Sequence, residues 1–163
     1  MNTHALDQLM GLLQTLTTLS NQLNDLLKQE KISLETPNSI DLLTLSSAKK
    51  RLVSELENNT KKTHVFLKKI NVTRGLYQLN DFISQLKITD KKQVMSDLWS
   101  DVQRLSIDNK SQNEVNGSII ELNRRYTQRS LAVLRGQLGG NNTTYGSNGQ
   151  SMSSKISRNI TTA

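Results

Sequence analysis

The sequence predicts an all-α protein: an elongated antiparallel bundle of long amphipathic helices with a mobile C-terminal tail. Three observations predict it. Leucines recur in steps of three and four over long stretches, as one side of a helix requires. No stretch sustains the alternating apolar and polar pattern of a half-buried strand. Finally, 18 of the 25 residues from 139 to 163 are Gly, Ser, Thr, Asn or Gln, too little apolar surface to offset the entropy of ordering. The domains are accordingly a helical bundle over 1–138 and a flexible basic tail over 139–163 that folds when a partner binds.

The first helix spans roughly residues 3–33. Leu6, Leu9, Leu13, Leu16, Leu23 and Leu27 form one stripe, with Ser20 interrupting, and Ala5, Leu12, Leu19 and Leu26 a second. Together they are wider than a two-stranded seam and suit packing against two neighbours. Gly11 costs about 1 kcal/mol against Ala, which such a stripe absorbs. Pro37, the only proline, marks the break, and Asn38 or Ser39 can cap the next helix ahead of Asp41. The second helix carries Leu42, Leu45, Leu52, Leu56, Phe66 and Ile70 on a seven-residue repeat. Lys49, Asn59 and Thr63 fall on the same seam. It ends near Asn71–Gly75, where Gly75 can supply the left-handed terminus.

A short amphipathic piece follows, with Leu76, Leu79, Phe82, Ile83 and Leu86. Ile88-Thr89-Asp90 then reads as a staple and N-cap for a long last segment. Its apolar positions are Val94, Leu98, Val102 and Leu105, and after a gap Ile119, Ile120, Leu122, Tyr126, Leu131, Leu134 and Leu138. The polar gap, Ser106 to Ser118, admits two readings. It is a loop between two helices, with Asn116-Gly117 as its turn. Alternatively it is a polar stretch of one helix whose side-chain amides bridge to neighbours, with Asn116-Gly117 at a close helix approach.

Composition narrows the function. Only 4% of residues are aromatic, so the core is aliphatic. The absence of Cys excludes disulfides, thiolate zinc sites and a Cys nucleophile. The start has no basic segment followed by an apolar run, so it reads as a mature N-terminus, and no 18-residue apolar window exists to span a membrane. Without a secretory signal, the Asn-x-Ser/Thr triplets at Asn58, Asn71, Asn116, Asn141, Asn142 and Asn159 are chance matches. His4 and His64 have no partners at metal spacing, and Asp97 and Asp101 are a solvated pair. No phosphate loop, nucleophile elbow or Ser/His/Asp order occurs. The sequence therefore points to no enzyme and no cofactor.

The net charge of +7 is concentrated late. Residues 1–121 hold 15 basic and 14 acidic side chains; residues 122–163 hold six basic and none acidic. One aromatic, Tyr145, sits in the polar tail, where only a partner could bury it. Met152, Ile156 and Ile160 are four apart and would share a side if the tail became helical on a partner. Leu131, Leu134 and Leu138, with Val133, end the last helix; core is their ordinary role, and a docking surface for a helical partner the other.

Asn113-Glu114-Val115-Asn116-Gly117-Ser118-Ile119-Ile120, then Arg135-Gly136, then Thr144-Tyr145-Gly146-Ser147-Asn148-Gly149-Gln150 give the order Asn-x-x-Asn-Gly, Leu-rich helix, Tyr-Gly-x-x-Gly-Gln. In this order, in its length and in its Leu-rich opening helix, the chain resembles the FlgN family of flagellar export chaperones. The resemblance implies a cytoplasmic chaperone of the flagellar type III export system. Its clients would be the two hook-filament junction proteins, kept from premature assembly, and it would dock on the cytoplasmic domain of the export gate without stable membrane insertion. The family's gate-docking tyrosine corresponds to Tyr145. The candidate client-binding residues are Leu131, Leu134, Leu138, Met152, Ile156 and Ile160. One departure is the pI near 9.8, since small type III chaperones are often acidic. It keeps a second class open: a helical nucleic-acid or anionic-surface binder driven by the basic end, although base stacking needs more aromatics than Tyr145 alone.

Overall fold

A computed structural model describes residues 3–36, 42–87, 89–135, 143–145 and 151–153. The elements in order are α1 (Thr3–Glu35), α2 (Leu42–Lys69), a 3-10 turn (Gly75–Gln78), α3 (Leu79–Ser84), α4 (Thr89–Leu134) and two short strands, β1 (Thr143–Tyr145) and β2 (Ser151–Ser153). The protein is all-α in its body, as the leucine spacing requires. The residues group into two compact units, Met1–Ser118 and Ile119–Ala163. The division falls inside α4, upstream of the boundary that composition suggests after Leu138.

The core of the first unit is built on α1. Leu6, Leu9, Leu13 and Leu16 are buried against Leu67 of α2, Leu79 and Ile83 of α3, and Met95 and Trp99 of α4. Each such leucine contributes roughly 1.5–3 kcal/mol by leaving water. On α4 the seam starts one position later than the sequence suggested: Met95 is fully buried, while Val94 is exposed. The buried face runs Met95, Leu98, Val102, Leu105, Asn109, Gln112, Asn116, a repeat of three and four that continues through the polar gap.

That continuity settles the gap. Residues 106–118 are helix, not loop, and Asn116-Gly117 is not a turn. Gly117 is exposed, and a Cβ there would meet nothing within 4 Å, so no close helix approach requires it. Asn116 has the structural part instead. Its side chain is buried, and Nδ2 donates to Leu27 C=O at 2.9 Å and to Glu30 Oε2 at 2.8 Å. Both neighbours are acceptors, so the amide nitrogen must face them. Lys49 of α2 donates to the other oxygen of Glu30 at 2.6 Å, closing a three-helix polar junction. One repeat earlier, Asn24 Nδ2 donates to Asn109 Oδ1, and Asn109 Nδ2 to Ser20 C=O, both at 2.9 Å. Ser20, the interruption in the first leucine stripe, is therefore where α1 offers a carbonyl to α4. Buried amides at such positions hold register, because a shift leaves them unpaired.

α2 ends differently from the sequence reading. Asn71, not Gly75, is the left-handed terminus, with φ 65°. Val72 N–H donates to Leu67 C=O at 2.9 Å and Asn71 N–H to Lys68 C=O at 3.1 Å, while Val72 and Leu67 are both buried. This is the two-bond helix ending with its apolar clasp. Gly75 is left-handed too, with φ 60°, but it opens the 3-10 turn and lies against the His64 ring. Leu67, off the expected α2 repeat, is buried; Asn59 and Thr63 on that repeat are buried as well, and Thr63 Oγ1 donates to Asn59 C=O at 2.9 Å. Pro37, Asn38, Ser39, Asp41 and Ile88 lie outside the described residues; α4 begins at Thr89 with Asp90 in its first turn.

In the second unit, β1 and β2 pair antiparallel, Thr143 opposite Ser153, Thr144 opposite Met152 and Tyr145 opposite Ser151. The ladder adds a feature that no alternation in the sequence announced. It is only three residues long on each side, too short to leave a pattern.

Candidate partner-binding site

The C-terminal part of α4, from Ile119 on, keeps its apolar side chains in the open. No described residue there is buried. Leu131 is 44% exposed and Leu134 81%, so the ordinary expectation of core is overturned for both. They do not stand alone. At helical spacing, Leu122, Tyr126 and Val133 lie along one strip, and Ile120, Leu131 and Leu134 along a second, roughly 130° further round the helix, with Asn123 and Ser130 between the two. Helical spacing in the sequence marks these positions as apolar, and of them only Leu131 and Leu134 are expected to bind. The available signal was the arginines: Arg124, Arg125 and Arg135 fall on the opposite half of the helix.

That polar half is tied to itself. Arg124 donates from Nε and Nη2 to both oxygens of Glu121, at 2.8 and 2.9 Å, and Arg125 Nε donates to Glu121 Oε1 at 2.9 Å. The hydrogen bonds from Arg124, and next from Arg125, hold the Glu121 carboxyl well below its ordinary value, at about 2. Glu121 in turn raises the Arg124 guanidinium. The one carboxylate, shared by two guanidiniums, offsets one of their two charges, which weakens the charge available for phosphate.

Tyr145 occupies a strand position opposite Ser151. Met152 also lies in a strand, so the helical side it would share with Ile156 and Ile160 is not formed at Met152. Leu138, Ile156 and Ile160 lie outside the described residues. Among the described residues no group of three His, Cys, Asp or Glu could hold a metal ion, and no helix is long and apolar enough to cross a membrane.

A small helical body joined to a helix with an uncovered apolar half is a protein built to hold other proteins. A family model described as FlgN protein matches residues 1–153, and the chain belongs to the FlgN family. It is therefore a flagellar export chaperone. Neither the curated proteins nor the solved structures include a match.

Proposed function

We propose that this chaperone captures the hook-filament junction proteins in the cytoplasm, blocks their premature assembly and delivers them to the cytoplasmic domain of the type III export gate. The observation that supports capture most directly is the exposed apolar half of α4 from Ile120 to Leu134, within a chain of this family. The client surface in this reading is an amphipathic helical end that would otherwise polymerise. Covering such an end with a matching apolar helix removes its assembly surface and holds it by mass action. Leu131, Leu134 and Leu138 form the first contact. Met152, Ile156 and Ile160 add to it if the segment around them turns helical on the client. Tyr145 is assigned to gate docking, where a partner pocket around the ring would contribute roughly 1.5–3 kcal/mol.

Pull-down from a flagellated cell lysate tests this. The full chain should retain junction proteins at one to one, and a chain ending at Glu121 should lose them. Because contact is apolar, retention should persist in about half-molar salt, where phosphate-driven binding collapses. Recovery of RNA in place of junction proteins would refute capture. Tyr145→Ala should leave client affinity intact and weaken gate docking; equal loss of both would refute its assignment.

A further inference from the structure

The first unit carries an opening of its own. A groove of about 1440 Å3 lies within it, floored by Leu16, Leu23 and Leu27 of α1 and walled by α2 and α4. Along α2 it runs from Ser46 to Val65, roughly 28 Å at the helical rise, and along α4 from Trp99 to Asn113, roughly 21 Å. Its walls hold apolar side chains left in solvent: Val53, Val65, Ile107 at 70% exposure and Tyr77 at 97%. Trp99 also lines it, 8% exposed, and its indole N–H has no acceptor among the described residues. Three helices around such a trough leave the place that a fourth would fill.

Charge says what kind of helix. Five Lys or Arg residues line the groove and no Asp or Glu does. Lys49 is engaged by Glu30, but Lys50, Lys61, Arg74 and Lys110 are exposed, and none has an acidic partner among the described residues. We propose that this groove seats one amphipathic helix of a partner protein, apolar on its inner side and bordered by Asp and Glu. The aliphatic floor disfavours a nucleic acid backbone, which needs phosphate contacts along its length. A second copy of this chain also fits poorly: the exposed apolar helix it would offer, Ile120 to Leu134, is bordered by arginines. Every residue that lines the groove precedes Ile119, so none belongs to the proposed client surface.

Trp99 is the chain's only tryptophan, so its emission reports on the groove. The full chain, free of client, is titrated with two tryptophan-free helical peptides of about 18 residues, sharing one leucine stripe but flanked by Glu or by Lys. The Glu-flanked peptide should shift Trp99 emission and bind at least roughly tenfold tighter than the Lys-flanked one. The triple variant Lys50→Glu, Lys61→Glu, Lys110→Glu, in exposed positions that leave the fold intact by circular dichroism, should reverse that order. Equal affinity for the two peptides, an emission unmoved by either, or an order that survives the reversal would overturn the proposal. So would a short RNA duplex that displaces the peptide, or a peptide-free dimer in sedimentation that already covers Trp99.

Discussion

The two parts of α4 invert each other. Up to Ser118 the helix buries amides, Asn109 and Asn116, inside an aliphatic seam; beyond it, aliphatic side chains such as Leu122 and Leu134 stand in solvent. The difference teaches that polarity alone does not tell inside from outside on this helix. A buried amide is tolerated where a facing carbonyl and carboxylate accept from its nitrogen, as they do from Asn116. An exposed leucine is left where no other element of the chain packs opposite it.

Substitution in each part should separate them. The largest effect is expected in the aliphatic seam: Leu13→Ala should cost about 3 kcal/mol of folding stability, whereas Leu134→Ala should cost less than about 0.5 kcal/mol, both read by denaturant unfolding. Similar losses at the two positions would erase the contrast. Next comes Asn116→Ala, which leaves Leu27 C=O without its side-chain donor and Glu30 with Lys49 alone. A loss of about 2–3 kcal/mol is expected, and the accompanying Lys49→Ala change should be far from additive because both contact Glu30. Additive losses would mean that the junction does not act as a unit.

A smaller effect is expected at the corner before α3. Gly75→Ala puts a Cβ on a left-handed residue against the His64 ring and should destabilise by about 1–2 kcal/mol. His64→Ala should relieve the ring contact and leave the backbone strain, recovering only part of the loss.

The smallest effect concerns Glu121. Its carboxyl is depressed in the folded chain, so the stabilisation is complete above the ordinary carboxylate value of 4.5 and lost as pH falls through about 2. The group is fully exposed, so solvent and salt screen it. Helix content in the Ile119–Leu134 stretch should fall slightly across that window at low salt. Glu121→Gln should abolish the pH response without altering stability of the first unit. A large response, or one insensitive to salt, would contradict the surface placement of this cluster.

By itself the sequence determined the helical class, the extent of α1 and the seams of leucine, because helical spacing is a local property written at every turn. It also carried the motif order by which the family is recognisable, and it located the apolar end of α4. It left open whether 106–118 was loop or helix, since isolated amides favour turns and helix ends until something satisfies them. Only the tertiary structure decided that: the Ser20 and Leu27 carbonyls and the Glu30 carboxylate come from another helix, some 85 to 90 residues away in the chain. The same holds for Leu131 and Leu134, whose spacing suits a core as well as an open surface. Burial depends on what packs opposite, and no local pattern records that.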